Sequence, residues 1–305
     1  MKSILLPNYR RVQFLLAVTL CAATLPEAWA QFPGGPIAPV AQGNTTYGNA
    51  AGCAPTAAAN GLIYLDDNYY SANDSLIPNL ILGGGTPDGI ATANQLSVNM
   101  GTTANGTAPA NRDAGIANYL AAQGTPVAVV GGQAPRALGV TTANVLQQSP
   151  TASYMAQELA AGDAVEFGQY WGSQAQEAAD TSGFGASGNG LGGHVLTLLA
   201  ITSAAGGQSG TISFEDPTGP GYVASVGWTL LANGLIFVSG DAADPVPVDP
   251  NAGMDQGGNT YNSFAISDDV VESVVPEPPT IMAGLAALGM VTVSLARRRA
   301  QNRVI

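Results

Sequence analysis

The chain has 305 residues, only 10 % of them charged, with a single histidine and two cysteines. Between Gln31 and Val275, nineteen acidic side chains stand against two basic ones, Arg112 and Arg136, a net charge of −17. That surface repels phosphate backbones and excludes nucleic acid as a partner. One histidine and one cysteine beyond the leader exclude a conventional Cys/His zinc site, and the residues call for no cofactor.

Met1–Ala30 opens with Lys2, Arg10 and Arg11, continues as an apolar run from Phe14 to Ala23, and ends on Ala28 and Ala30. This is the layout of a secretory signal peptide with an A-x-A cleavage site. Cys21 lies inside it, so Cys53 is the only thiol expected in the mature protein. A lone thiol in an oxidising compartment is buried, paired between chains, or used.

Residues 31–240 are expected to form one α+β domain. The run Cys53-Ala-Pro-Thr-Ala-Ala-Ala-Asn-Gly-Leu predicts a helix whose first residue is the cysteine. Pro55 falls in the first turn, where its missing N–H costs nothing, and Ala57–Ala59 favour helix. A thiol at a helix start faces free N–H groups and the positive end of the dipole, which favour the thiolate. Residues 66–151 read as an insertion, with a helix over 113–123 and a strand over 126–130. A short helix over 154–160 ends at Gly162 and leads into a strand over 164–167. Tyr170 and Trp171 read as core aromatics rather than cleft walls. The glycine-rich run 183–193 precedes His194-Val-Leu-Thr-Leu-Leu-Ala-Ile, an apolar strand. A turn over 206–210 and the alternating Thr211–Glu215 complete a hairpin. His194 and Asp216 stand at its open end, where antiparallel pairing makes them neighbours.

These residues carry a nucleophile, a base and a group to orient the base. Gly52-Cys53-Ala54-Pro55-Thr56 resembles the Cys-Gly-Pro-Thr helix start of papain-like cysteine peptidases of the bacteriocin-processing type. Leu159–Val165, Gly193-His194-Val195 and Asp216-Pro217 resemble the segments that carry that group's histidine and aspartate, in the same order. The resemblance spans about Gln42–Pro220 and implies a helix packed on an antiparallel sheet, with Cys53, His194 and Asp216 as a triad cleaving peptide or protein substrates through a thioester. Ala54 replaces the family's glycine. Tyr47 stands where the family has its oxyanion glutamine, so Gln42, with Asn49 as the alternative, is the candidate donor. An acyl transferase or amidase with the same triad, or a silent surface or matrix protein, are the alternative readings.

Residues 241–275 read as a linker with a last strand over 261–266. The oxygen-rich run 249–259 does not match a calcium loop. The chain closes with Pro276-Glu277-Pro278, an apolar stretch over 281–296 and the basic trio Arg297–Arg299. Arginines directly after a short apolar helix keep that end cytoplasmic. The whole of 276–305 resembles the PEP-CTERM sorting signal of Gram-negative bacteria. That resemblance implies a membrane helix before processing, an exosortase as partner, and delivery to the cell surface or an exopolysaccharide matrix.

Overall fold

The computed structural model describes residues 30–31, 40–69, 86–124, 127–142, 144–179, 193–218, 223–239 and 263–274. The leader up to residue 29, the Pro276-Glu277-Pro278 motif, the tail helix over 281–296 and the run 249–259 lie outside them; Ala30, the leader's last residue, is in the first strand. Among the described residues no helix is long and apolar enough to cross a membrane.

The elements follow in chain order as β1 (Ala30–Gln31), a 3-10 turn (Gln42–Asn44), α1 (Gly48–Ala51), α2 (Cys53–Tyr69), α3 (Thr86–Asn99), α4 (Pro109–Gln123), β2 (Val127–Gln133), β3 (Val145–Leu146), α5 (Ala152–Ala161), β4 (Ala164–Trp171), α6 (Gln174–Ala179), β5 (Gly193–Ser203), β6 (Ser209–Glu215), β7 (Val223–Leu230), β8 (Ile236–Ser239) and β9 (Ser263–Val274). The fold is α+β, as expected.

Local chemistry sets most of the element ends. Pro109 opens α4, and Gly124 closes it at φ 65°, a left-handed turn that suits glycine. The Thr151 hydroxyl caps α5 by accepting from the Tyr154 N–H, and Gly162 closes it at φ 92°. The expected hairpin is β5–β6, with Thr197 opposite Glu215.

Strands β5, β6, β7, β8, β9 and β4 pair antiparallel in that order, and β4 pairs back to β5. Six strands thus close into a barrel. β2 adds to the outer half of β9, with β3 parallel beside it. The barrel is filled by aromatic side chains. Phe167 meets Phe214 edge-on at 5.9 Å, Phe264 stacks on Phe167 at 6.3 Å, and Trp171 meets Phe264 edge-on at 5.7 Å. Truncating one such ring costs about 3–5 kcal/mol. Trp171 is therefore core, as read from the sequence.

α2 lies across the outer face of β4 and β5. Thr197 Oγ1 donates to the Ala57 carbonyl at 3.2 Å. Gly61 packs so close to the Glu166 carboxyl that a side chain there would overlap it. α3 and α4 flank α2, and all three share one core with the sheet. The segment expected as an insertion thus supplies part of the core itself.

The largest departure from expectation is β9. The sequence placed a linker over 241–275 with a short strand over 261–266. The structure instead has a twelve-residue strand, Ser263–Val274, that closes the barrel and pairs with β2, β4 and β8. Three acids in Ser267-Asp-Asp-Val-Val-Glu272 mask its apolar pattern. All three are buried.

Candidate active site

α2 starts at Cys53, and the single residue Gly52 separates it from the end of α1 at Ala51. The chain turns there because Gly52 has no side chain: an added Cβ would lie 2.6 Å from Thr45 Oγ1 and 2.8 Å from the Gly48 carbonyl. Thr56 then ties the first turn down, its N–H and Oγ1 both donating to the Gly52 carbonyl at 3.1 and 2.6 Å. The sulfur is thereby held at the helix start, half-buried against the core.

His194 is the second residue of β5, with Val195 beside it facing α2. The imidazole is 3 % exposed, and its Nε2 lies 2.9 Å from Asp216 Oδ1, itself 1 % exposed. Its other interaction is with the Cys53 thiol, which leaves Nδ1 as the ring nitrogen turned to sulfur. Thr218 fixes the aspartate in turn, its N–H donating to Asp216 Oδ1 at 2.9 Å and its hydroxyl at 2.7 Å. This is an Asx turn built by Asp216-Pro217-Thr218. The sequence reading took the Asp-Pro pair and missed Thr218, although an Asx-turn signal was legible two residues on.

The electrostatics make an ion pair of the thiol and the imidazole. Burial alone raises the Cys53 thiol. The positive His194, its hydrogen bond, and N–H groups of Val195 and Ala54 overcome that and hold the thiol below its ordinary value. Burial alone lowers His194. The Asp216 and Cys53 charges outweigh it, and the imidazole is pushed up to about 10. Burial raises Asp216, while His194 and Thr218 bring it below the carboxylate range. Between the thiol's lowered value and the imidazole's raised one, the favoured state is thiolate beside imidazolium.

Gln42 is buried in the 3-10 turn. Its N–H donates to the Pro217 carbonyl at 2.7 Å, and its own carbonyl faces the space Gly52 leaves open. It therefore joins the aspartate turn to the cysteine turn. The eleven-residue gap to Cys53 is taken up by the 3-10 turn and α1. Asn49 lies in α1, and its side chain is outside the described residues. Tyr170 is half-buried, its ring against Gly193 next to the imidazole strand. Among the described residues no three His, Cys, Asp or Glu side chains are placed to hold a metal ion.

No protein-family model matches the chain, and no curated protein matches it.

Proposed function

We propose that the chain is a cysteine peptidase with papain-like topology. One observation carries this reading: His194 lies 2.9 Å from Asp216 through Nε2 and engages, as its other partner, the thiol at the start of α2. A helix start facing the end of a strand, with nucleophile on one and base on the other, is the arrangement such chemistry uses.

The Cys53 sulfur attacks the carbonyl carbon of a peptide bond. A C–S bond forms, and the carbonyl electron pair moves onto oxygen. The Cys53 N–H and the Gln42 side-chain amide are the proposed donors to that oxyanion. His194 passes its Nδ1 proton to the leaving amine as the C–N bond breaks, giving a thioester. His194 then takes a proton from water. The hydroxide displaces sulfur, and the acid product leaves with the thiolate restored. Asp216 holds the ring orientation and its positive charge throughout. The leader and the sorting tail read from the sequence support an activity outside the cytoplasm, with an exosortase as the proposed processing partner.

An epoxide probe for active thiols tests the reading. Wild type labels at Cys53, and Cys53→Ala and His194→Ala do not. Cleavage of a peptide library falls by about 10⁴-fold or more in either variant. Equal labelling of wild type and His194→Ala would end the peptidase reading and leave a surface structural protein. Labelling without hydrolysis products would favour acyl transfer.

A further inference from the structure

Behind α2 lies a second set of ionisable groups that the reaction does not use. Asp113 from α4, Glu166 from β4, and Asp268, Asp269 and Glu272 from β9 are each 0 or 1 % exposed, and Arg112 from α4 is 2 % exposed. Arg112 pairs with Asp268 at 2.7 Å and approaches Asp113 at 3.4 Å. Glu166 and Glu272 approach each other, and both oxygens of each carboxyl are buried without a hydrogen-bond donor among the described residues. The other charged or titratable neighbours are Tyr170 on β4, beside Asp268, and Tyr154 on α5, beside Asp269 and itself facing Glu158 and Asp163. α2 meets the cluster with Gly61, which has no room for a side chain against Glu166. β2 offers only a neutral donor, the Gln133 N–H, at 2.7 Å from Asp269 Oδ1.

Five ionised carboxylates around one guanidinium would leave a net −4 sealed between helices and sheet. A buried charge without a partner instead neutralises. No three of these groups are placed as metal ligands, so the balancing charge is the proton. We infer that Asp113, Glu166, Asp269 and Glu272 are held neutral around the Arg112–Asp268 pair, and that this cluster is a pH-sensitive latch between the Cys53 helix and the barrel, closed in acid and released by alkali.

Burial pushes Asp113 up to about 6 and Glu166 up to about 7, and raises Asp269 and Glu272 well above their ordinary values. The folded-state values are raised, so the folded state holds more protons than the unfolded one. Stability is then full below the ordinary carboxyl range and falls as pH climbs through 6 and 7. Each proton kept only by the folded state makes unfolding about tenfold more favourable per pH unit. On release, α2 loses its seat on Glu166, and Cys53 moves with it. The stability effect stands apart from the peptidase reading; the loss of Cys53 geometry rests on it.

The test follows thermal unfolding of wild type and of Cys53→Ala from pH 5 to 9, with calorimetry in two buffers of different ionisation enthalpy. Both proteins are expected to melt lower as pH rises and to release protons on unfolding at pH 6. Glu166→Gln with Glu272→Gln, which mimics the neutral pair, flattens the slope. Amide exchange corrected for its intrinsic pH dependence loses protection in α2 before β6 and β7. A melting temperature independent of pH over 5–8 together with no proton release overturns the latch. So does simultaneous loss of protection in α2, β6 and β7. If the double variant does not fold, the order in which α2, β6 and β7 of wild type lose exchange protection decides. A pH slope retained in a protein without thiol reactivity would sink only the peptidase reading.

Discussion

The chain buries two clusters of charge where its Cys53 helix meets the barrel, and they balance in opposite ways. At the Cys53–His194–Asp216 site each charge has its opposite in contact, and the aspartate takes two further donors from Thr218. Behind the helix a single Arg112 serves five carboxyls. The first arrangement favours ionisation, and a thiol and an imidazole exchange their ordinary charge states. The second suppresses ionisation. Burial is common to both, so it is the partner set that decides which protonation state a buried group adopts.

Removing the one cation of the acid cluster gives the largest stability effect. Arg112→Met leaves Asp268 buried without its partner and is expected to cost about 3–5 kcal/mol. Urea unfolding measures it, and the loss is greater at pH 8 than at pH 5, because protons substitute for the guanidinium in acid. An equal loss at both pH values would show that Arg112 acts through packing alone.

The converse change at the candidate site is Asp216→Ala. It removes the largest influence that raises His194, so the imidazolium is lost at lower pH and the thiol rises. Turnover is expected to fall about 10²-fold, and the pH profile of Cys53 alkylation moves toward an ordinary thiol. An unchanged alkylation profile would mean that Asp216 does not set the charge state of the pair. Thr218→Ala is milder. It removes the hydroxyl donor to Asp216 while the Thr218 N–H remains, at an expected cost of about 1 kcal/mol. His194 titrates slightly lower, observable by NMR of the single imidazole, and melting at pH 5 falls by about 2–4 °C.

The legibility of these two clusters in the sequence was unequal. The triad stood out because each type was scarce: one histidine, one cysteine beyond the leader, and an Asp-Pro at the end of a strand. The hairpin and the helix start then needed only local rules, the alternation of Thr211–Glu215 and the position of Pro55. Gln42 was named on type alone, since its distance from Cys53 fits no fixed spacing. The 3-10 turn and α1 that fold up this gap are too short to read from composition. The acid cluster left no trace in the sequence. Asp268, Asp269 and Glu272 fall in the stretch read as a linker, and their polarity concealed the long strand that carries them.

The sequence by itself determined which atoms were available for nucleophilic chemistry and on which local elements they sit, because capping, turn chemistry and alternation act within a few residues. Only the tertiary structure decided that six strands close, that β9 joins β4, β8 and β2, and that acids distant in the chain meet around Arg112. Those outcomes depend on pairing between segments about 90 to 150 residues apart. In that setting the state of a side chain is set by what is packed against it, and its own polarity ceases to be a guide.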